Sequence, residues 1–241
     1  MIPNYLIEKN INAYVTKYAE YILRDPEFYK KEEGYKYQAV ATFQKFFDLK
    51  SKNFAAMLER SLSDEKNLVQ SGQYFPKTML LYSAKRKPDF VRKELTALLN
   101  GSGSVYDRID DFIDNLNQHH KQHQHSFKEY GKQTYFDYRF VSFLLAAYKP
   151  EKYIYVKYSE FKKLGNMIRY PIKVTGSDGQ RYEILLELAE MVRNALKNNN
   201  EFKKVHKKIT EPFEYKDPSL SWGTTDFIFN VARRLGTAFD K

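Results

Sequence analysis

FDYRFVSFLLAAYKPEKYIYVKYSEFKKL, residues 136–164, places two periodicities back to back and decides how the chain reads. In its first half Phe136, Phe140, Phe143, Leu144 and Ala147 recur at helical spacing, and Pro150 ends the run. In its second half tyrosine and lysine alternate. As a strand, Tyr153, Tyr155 and Lys157 would share one face and Ile154, Val156 and Tyr158 the other.

That alternation supports two readings. Flat rings stack on bases and ammonium groups neutralise phosphates, which suits a nucleic-acid surface. Tyrosine is also a common strand residue, and lysines on an edge strand discourage strand-to-strand aggregation.

Helical periodicity dominates outward from this stretch. Ile7, Ile11, Tyr14, Val15, Tyr18 and Ile22 form a first stripe, stopped by Asp25-Pro26. Val40, Phe43 and Phe47 predict a second helix, and Phe54, Met57, Leu58 and Leu62 a third. Pro76 to Asn100 reads as two helices, because Pro88-Asp89 is a restart signal before Val91, Leu95, Leu98 and Leu99. Ser104 with Asp107 predicts a cap ahead of Val105, Ile109, Phe112, Ile113 and Leu116.

Residues 175–181, TGSDGQR, read as a turn before a helix carrying Leu185, Leu188, Val192 and Leu196. Phe202, Val205 and Ile209 predict a further short helix. The last helix is expected to start at Thr224 or Thr225, with Ile228, Val231, Ala232, Leu235 and Phe239 facing inward. The expected fold is mainly α, a multi-helix globular domain with at most a small two- or three-stranded β element around 153–157 and 172–183. We treat 1–241 as one module, with polar residues 117–133 as the place where helical halves 1–116 and 134–241 would hinge.

Composition narrows the function. With 241 residues, 42% of them hydrophobic, the chain can bury a sizeable core, and the absence of cysteine excludes disulfides, thiolate metal sites and a cysteine nucleophile. No apolar run approaches the roughly 20 residues of a membrane helix and no secretory leader is evident, so the expectation is a cytoplasmic protein without membrane contact. The net charge of +10 is spread along the chain. A diffuse positive bias raises encounter rates with polyanions without marking a dedicated DNA arm.

No signature nominates an active site. His119 and His123 in HHKQHQH (119–125) would share a helix face, yet the surrounding polar tract reads as a solvated helix end or loop, and no metal is expected. Asp137 with Glu160-Phe161-Lys162 imitates the acidic order of a metal-dependent restriction nuclease, but Glu-x-Lys is common in a chain rich in both residues. No phosphate loop, dinucleotide fingerprint or hydrolase elbow occurs, and no cofactor is expected. Lys85-Arg86-Lys87, Lys203-Lys204, Lys207-Lys208 and Arg233-Arg234 are short basic clusters. Lys203, Lys204, Lys207 and Lys208 would form a stripe opposite Phe202, Val205 and Ile209, suited to solvent or to phosphates.

Several ordered segments resemble a known family. YKYQAVATFQKFFDL (35–49), NFAAMLERSL (53–62), NLVQSGQYFPKTMLLYSAKRKPDFVRKEL (67–95), VYDRIDDF (105–112), YKPEKYIYVKYSEFKKL (148–164) and EPFEYKDPSLSWGTTDFIFNVARRL (211–235) resemble the N-terminal region of McrB-like AAA+ proteins of type IV, modification-dependent restriction systems. The resemblance implies a DNA-recognition or targeting module, without catalytic activity of its own, working with a nucleotide-hydrolysing motor in cis or in trans. The implied partner is double-stranded DNA, plain or base-modified.

Within that expectation Tyr155, Tyr158 and Trp222 are the candidate stacking rings. Lys157, Lys162, Lys163, Arg169, Lys203, Lys204, Lys207 and Lys208 are the candidate phosphate contacts. A rival expectation is a protein-interaction module that recruits the motor or senses a phage protein through an exposed aromatic patch.

Overall fold

Asp137 starts the central helix by accepting the Phe140 N–H at 3.0 Å, and Pro150 follows its end. Every residue from Phe140 to Ala147 in that helix is buried, the pattern of an element packed on all sides. The computed structural model describes residues 4–18, 24, 25, 27, 29, 34–123 and 134–235. Among these the fold is mainly α-helical, and the only β pairing is an isolated bridge between Ser71 and Tyr74.

The first helix, α1 (Asn4–Ala13), continues into a π-helical turn at Tyr14–Tyr18. It is followed by α2 (Tyr35–Phe46), α3 (Phe54–Ser61), α4 (Pro76–Arg86), α5 (Pro88–Asn100) and α6 (Val105–Gln122). Each of α2 to α6 packs on its neighbour in sequence. Their starts follow local chemistry. Asn53 caps α3, proline opens α4 and α5, and the Ser104 hydroxyl accepts the Tyr106 N–H at the head of α6.

The second half comprises α7 (Tyr138–Tyr148), α8 (Tyr158–Met167), α9 (Asp178–Asn198), α10 (Asn200–Thr210) and α11 (Ser221–Asn230), the last running on into a π-helical turn at Val231–Leu235. Helix α9 touches α6, α7 and α11 and so ties the two halves together. Ser177 and Gln180 form a capping box at its start. Asp110 of α6 accepts both the Ser177 hydroxyl, at 2.6 Å, and the Gly179 N–H, at 2.8 Å. A Cβ on Gly179 would lie 2.2 Å from the Tyr106 carbonyl oxygen, so this close approach requires glycine.

Residues 153–157 do not form the expected strand. Ile154, Tyr155 and Val156 are all buried, so neither face of the alternation is solvated. Side chains take the place of a partner strand: Ser221 donates to the Tyr153 carbonyl at 2.6 Å, Tyr182 to Ile154 at 3.3 Å and Thr225 to Tyr155 at 2.7 Å. Ser142 accepts the Val156 N–H at 3.2 Å. These four backbone groups are satisfied without a ladder. Residues 172–183 form no strand either: 172–177 are irregular and α9 begins at Asp178, inside the expected turn.

The last helix begins at Ser221 rather than at Thr224 or Thr225. Asp217 accepts the Trp222 N–H at 3.3 Å and the Gly223 N–H at 2.7 Å, doing at a distance what a cap does locally. The Thr224 hydroxyl instead donates to the Leu220 carbonyl inside the helix. Phe239 of the expected stripe lies outside the described residues, as do residues 124–133 of the polar segment, whereas 117–122 belong to α6.

Polar bonds also join the two halves. Asp226 on α11 pairs with Lys36 on α2 and accepts the Tyr14 hydroxyl at 2.9 Å, all of it buried. The Tyr74 hydroxyl donates to Asp137 at 2.7 Å.

The histidine tract is solvated only in part: Lys121 and Gln122 are exposed, but its first histidines are not. His119 and His120 are buried, His119 lies against Phe90 with ring centroids 4.6 Å apart, and His123 packs on His119 at 4.4 Å. Burial, then the neighbouring His123 and Lys87, hold His119 below the usual imidazole range. His125 lies outside the described residues.

Candidate functional site

Residues 155–161 leave the core and turn into α8, and that exit forms one wall of a cleft of about 870 Å3. The start of α7, the start of α2, the loop at 67–71 and the end of α11 form the others. The cleft gathers four cations: Lys36, Arg139, Lys157 and Arg233. Two carboxylates, Asp137 and Glu160, line it with them.

Three of the cations have defined partners. Lys36 is paired with buried Asp226 behind the wall. Arg139 donates to the carbonyls of Asn67 at 3.2 Å and Leu68 at 2.9 Å and to the Tyr155 hydroxyl at 3.2 Å, so its partners are neutral acceptors. Arg233 reaches the Glu160 carboxylate at 2.6 Å. Lys157 differs. Among the described residues no hydrogen-bond acceptor or carboxylate holds its ammonium; it rests over the rings of Phe229, at 5.4 Å, and Tyr155, at 5.8 Å.

Phe229 organises the cluster. The charged groups of Lys36, Lys157 and Arg233 lie 5.3, 5.4 and 4.8 Å from its centroid. A ring quadrupole attracts cations that would otherwise repel one another. Repulsion remains: burial first, then Arg139 and Lys36, depress the Lys157 ammonium to about 8, with Glu160 opposing and Arg233 adding to the effect.

The carboxylates are committed. Asp137 caps α7 and accepts the Tyr74 hydroxyl, and burial pushes its carboxyl upward against those bonds. Burial would also raise Glu160, but hydrogen bonds from Ser159 and Arg233 outweigh it and hold the carboxyl below the usual range. Lys162, the third member of the nuclease-like order, is exposed and does not line the cleft. The described residues contain no group of three or more histidine, cysteine, aspartate or glutamate side chains placed to hold a metal ion.

Of the residues expected at a nucleic-acid surface, Tyr155, Lys157 and Tyr158 meet at this cleft. Tyr158 is 40% exposed, and the Lys162 ammonium lies 5.6 Å from its ring. Lys163 is exposed on α8, and Arg169 is exposed just beyond it in a left-handed conformation, φ 56°. Lys203, Lys204, Lys207 and Lys208 are exposed on α10, which contributes nothing to the cleft, and Lys204 is held by Glu201 at 2.8 Å.

Two expected stacking rings are corrected. Trp222 is wholly buried and stacks on Tyr155 at 5.6 Å, with Phe143 edge-on to both, so these rings pack the core and offer no face to a base. Tyr155 meets the cleft but is 1% exposed, and its hydroxyl donates to the Leu68 carbonyl at 2.5 Å. Burial pushes that phenol far above its ordinary range.

Sequence reading missed Lys36, Arg139 and Phe229 and noted Arg233 only as part of a basic pair. A signal did exist for two of them. Lys36 and Arg139 sit in otherwise apolar helical stretches, and a buried charge there needs a partner. Comparison with protein-family models, curated proteins and solved structures found no match.

Proposed function

We propose that this chain is a DNA-engaging recognition module, of the kind that serves an McrB-like restriction or phage-defence assembly, and that it binds without cutting. The observation that carries the reading is the head of α8. There a half-buried cation without an acidic partner, Lys157, and an exposed ring, Tyr158, line a cationic cleft, and two exposed cations outside its lining, Lys162 and Lys163, follow on the same helix. Exposed rings and ammonium groups in one place are what stacking and phosphate neutralisation require.

The net charge of +10 and the ordered segments that resemble McrB-like N-terminal regions support the same reading. Its partners would be duplex DNA and a nucleotide-hydrolysing motor in cis or in trans. A cytoplasmic setting is part of the proposal. Among the described residues no helix is long and apolar enough to cross a membrane.

Fluorescence anisotropy with plain, methylated and hydroxymethylated duplexes at two salt concentrations tests the reading. Binding that weakens steeply with salt is expected. The absence of salt-sensitive binding to all three duplexes would remove it. The rival protein-recruitment reading draws less support, since among the described residues the exposed large hydrophobic side chains are only Tyr5 and Tyr158.

A further inference from the structure

The interior of the cleft has features that a duplex backbone does not require. It is bounded by several helices, its volume of about 870 Å3 lies within the range of small-molecule sites, and its charge is unbalanced. Lys36, Arg139, Lys157 and Arg233 face Asp137 and Glu160, with Asp226 behind Lys36. Counting all three carboxylates as ionised leaves one positive charge over, and the ammonium without a counter-ion is Lys157.

A second feature points to the same spot. Lys157 is the N-cap residue of α8, a ten-residue helix, and no side chain caps it. Lys157, Tyr158, Ser159, Glu160 and Phe161 all line the cleft, so the positive end of the helix and the unpartnered ammonium border the same space. Unsatisfied N–H groups at a helix start, together with the helix dipole, favour an anion there.

We propose that the cleft binds a nucleotide through its terminal phosphate monoester, held between Lys157, Arg233 and the first turn of α8. A phosphate monoester carries between one and two negative charges at neutral pH, which supplies the counter-charge Lys157 lacks and leaves Arg233, already paired with Glu160, as a further hydrogen-bond donor. The attached base would lie along the exposed ring of Tyr158, with Tyr138 beside it in the lining. A bare carboxylate would leave that aromatic wall unused.

The inference does not rest on duplex recognition and can fail separately from it. The same chemistry has two sources, a free mononucleotide or the 5′-phosphorylated end of a strand.

Isothermal titration calorimetry on the full chain, with inorganic phosphate, adenosine 5′-monophosphate and adenosine as probes, tests it. The monophosphate should bind at least about tenfold more tightly than adenosine, and Lys157→Met should lose about tenfold or more of that affinity, as expected for a charge-assisted bond. Phosphorus NMR of the bound monophosphate gives an independent reading. Its resonance should shift in the wild type and stay at the free position with Lys157→Met.

A 5′-phosphorylated tetranucleotide that binds more tightly than the monophosphate assigns the site to strand ends; the reverse order assigns it to free nucleotides. Equal binding of adenosine and its monophosphate, or equal binding by wild type and Lys157→Met, would overturn the inference.

Discussion

The Arg233 guanidinium closes on the Glu160 carboxylate at 2.6 Å, and this pairing leaves Lys157 without the acidic neighbour nearest to it in sequence. Glu160 is buried while Arg233 is half exposed, so the pair anchors the end of α11 to the head of α8 at the rim of the cleft. The cleft therefore keeps one cation in reserve.

Glu160 makes stability acid-sensitive. Its folded carboxyl is held below its ordinary value of 4.5, so the stabilisation is present above that value and is lost as pH falls through the folded one. Solvent around Arg233 limits the effect, and Glu160→Gln should cost about 1 kcal/mol at pH 7. Urea denaturation at pH 7 and at pH 3 should show the variant and wild type converging at the lower pH.

Lys157 acts in the opposite sense. Its folded ammonium titrates near 8 against an ordinary 10.5, so holding the charge in the fold is unfavourable at neutral pH, and wild-type stability from this group should rise between pH 8 and 10.5. Lys157→Met should stabilise the protein by about 1–2 kcal/mol at pH 7, with the difference shrinking towards pH 10. Thermal or urea unfolding across that range reads it. Such a cost is typical of a group retained for binding.

Lys36 and Asp226 form a buried pair, and removing one partner strands the other. Lys36→Met should cost about 3–5 kcal/mol. The double variant Lys36→Met with Asp226→Leu should be less damaged than the single one, which a double-mutant cycle by denaturant titration measures.

Trp222 belongs to the core and not to a stacking surface. Trp222→Ala should cost about 3–5 kcal/mol, as for other buried aromatics. Trp222→Phe, which keeps a ring, should leave duplex affinity of the folded protein within about twofold of wild type. Lys162→Ala should instead lower affinity and reduce the slope of log affinity against log salt by about one.

Helix placement was readable where the signal is local. The Ser104 cap and the Pro88 restart depend on residues within a turn of the boundary, and both are found where the pattern places them. The strand expected at 153–157 failed because alternation reports side-chain order and not who bonds the backbone. There the partners are Ser142, Tyr182, Ser221 and Thr225, between 14 and 70 residues away, and no local window contains them.

The cleft was half readable for the same reason. Tyr155, Lys157 and Tyr158 adjoin in sequence and were found together, whereas Lys36, Arg139, Phe229 and Arg233 are gathered only by the packing of α2, α7 and α11. The α10 lysines show the converse. Their stripe is real, but the fold does not bring it to the cleft.

The most direct measurement is NMR titration of the Lys157 side chain, selectively labelled, with and without inorganic phosphate. Burial first, then Arg139 and Lys36, with Glu160 opposing and Arg233 adding to the effect, predict a midpoint near 8 that phosphate moves upward; Asp137 and the Tyr155 phenol line the same cleft. A midpoint near 10.5 that phosphate leaves in place would contradict the account.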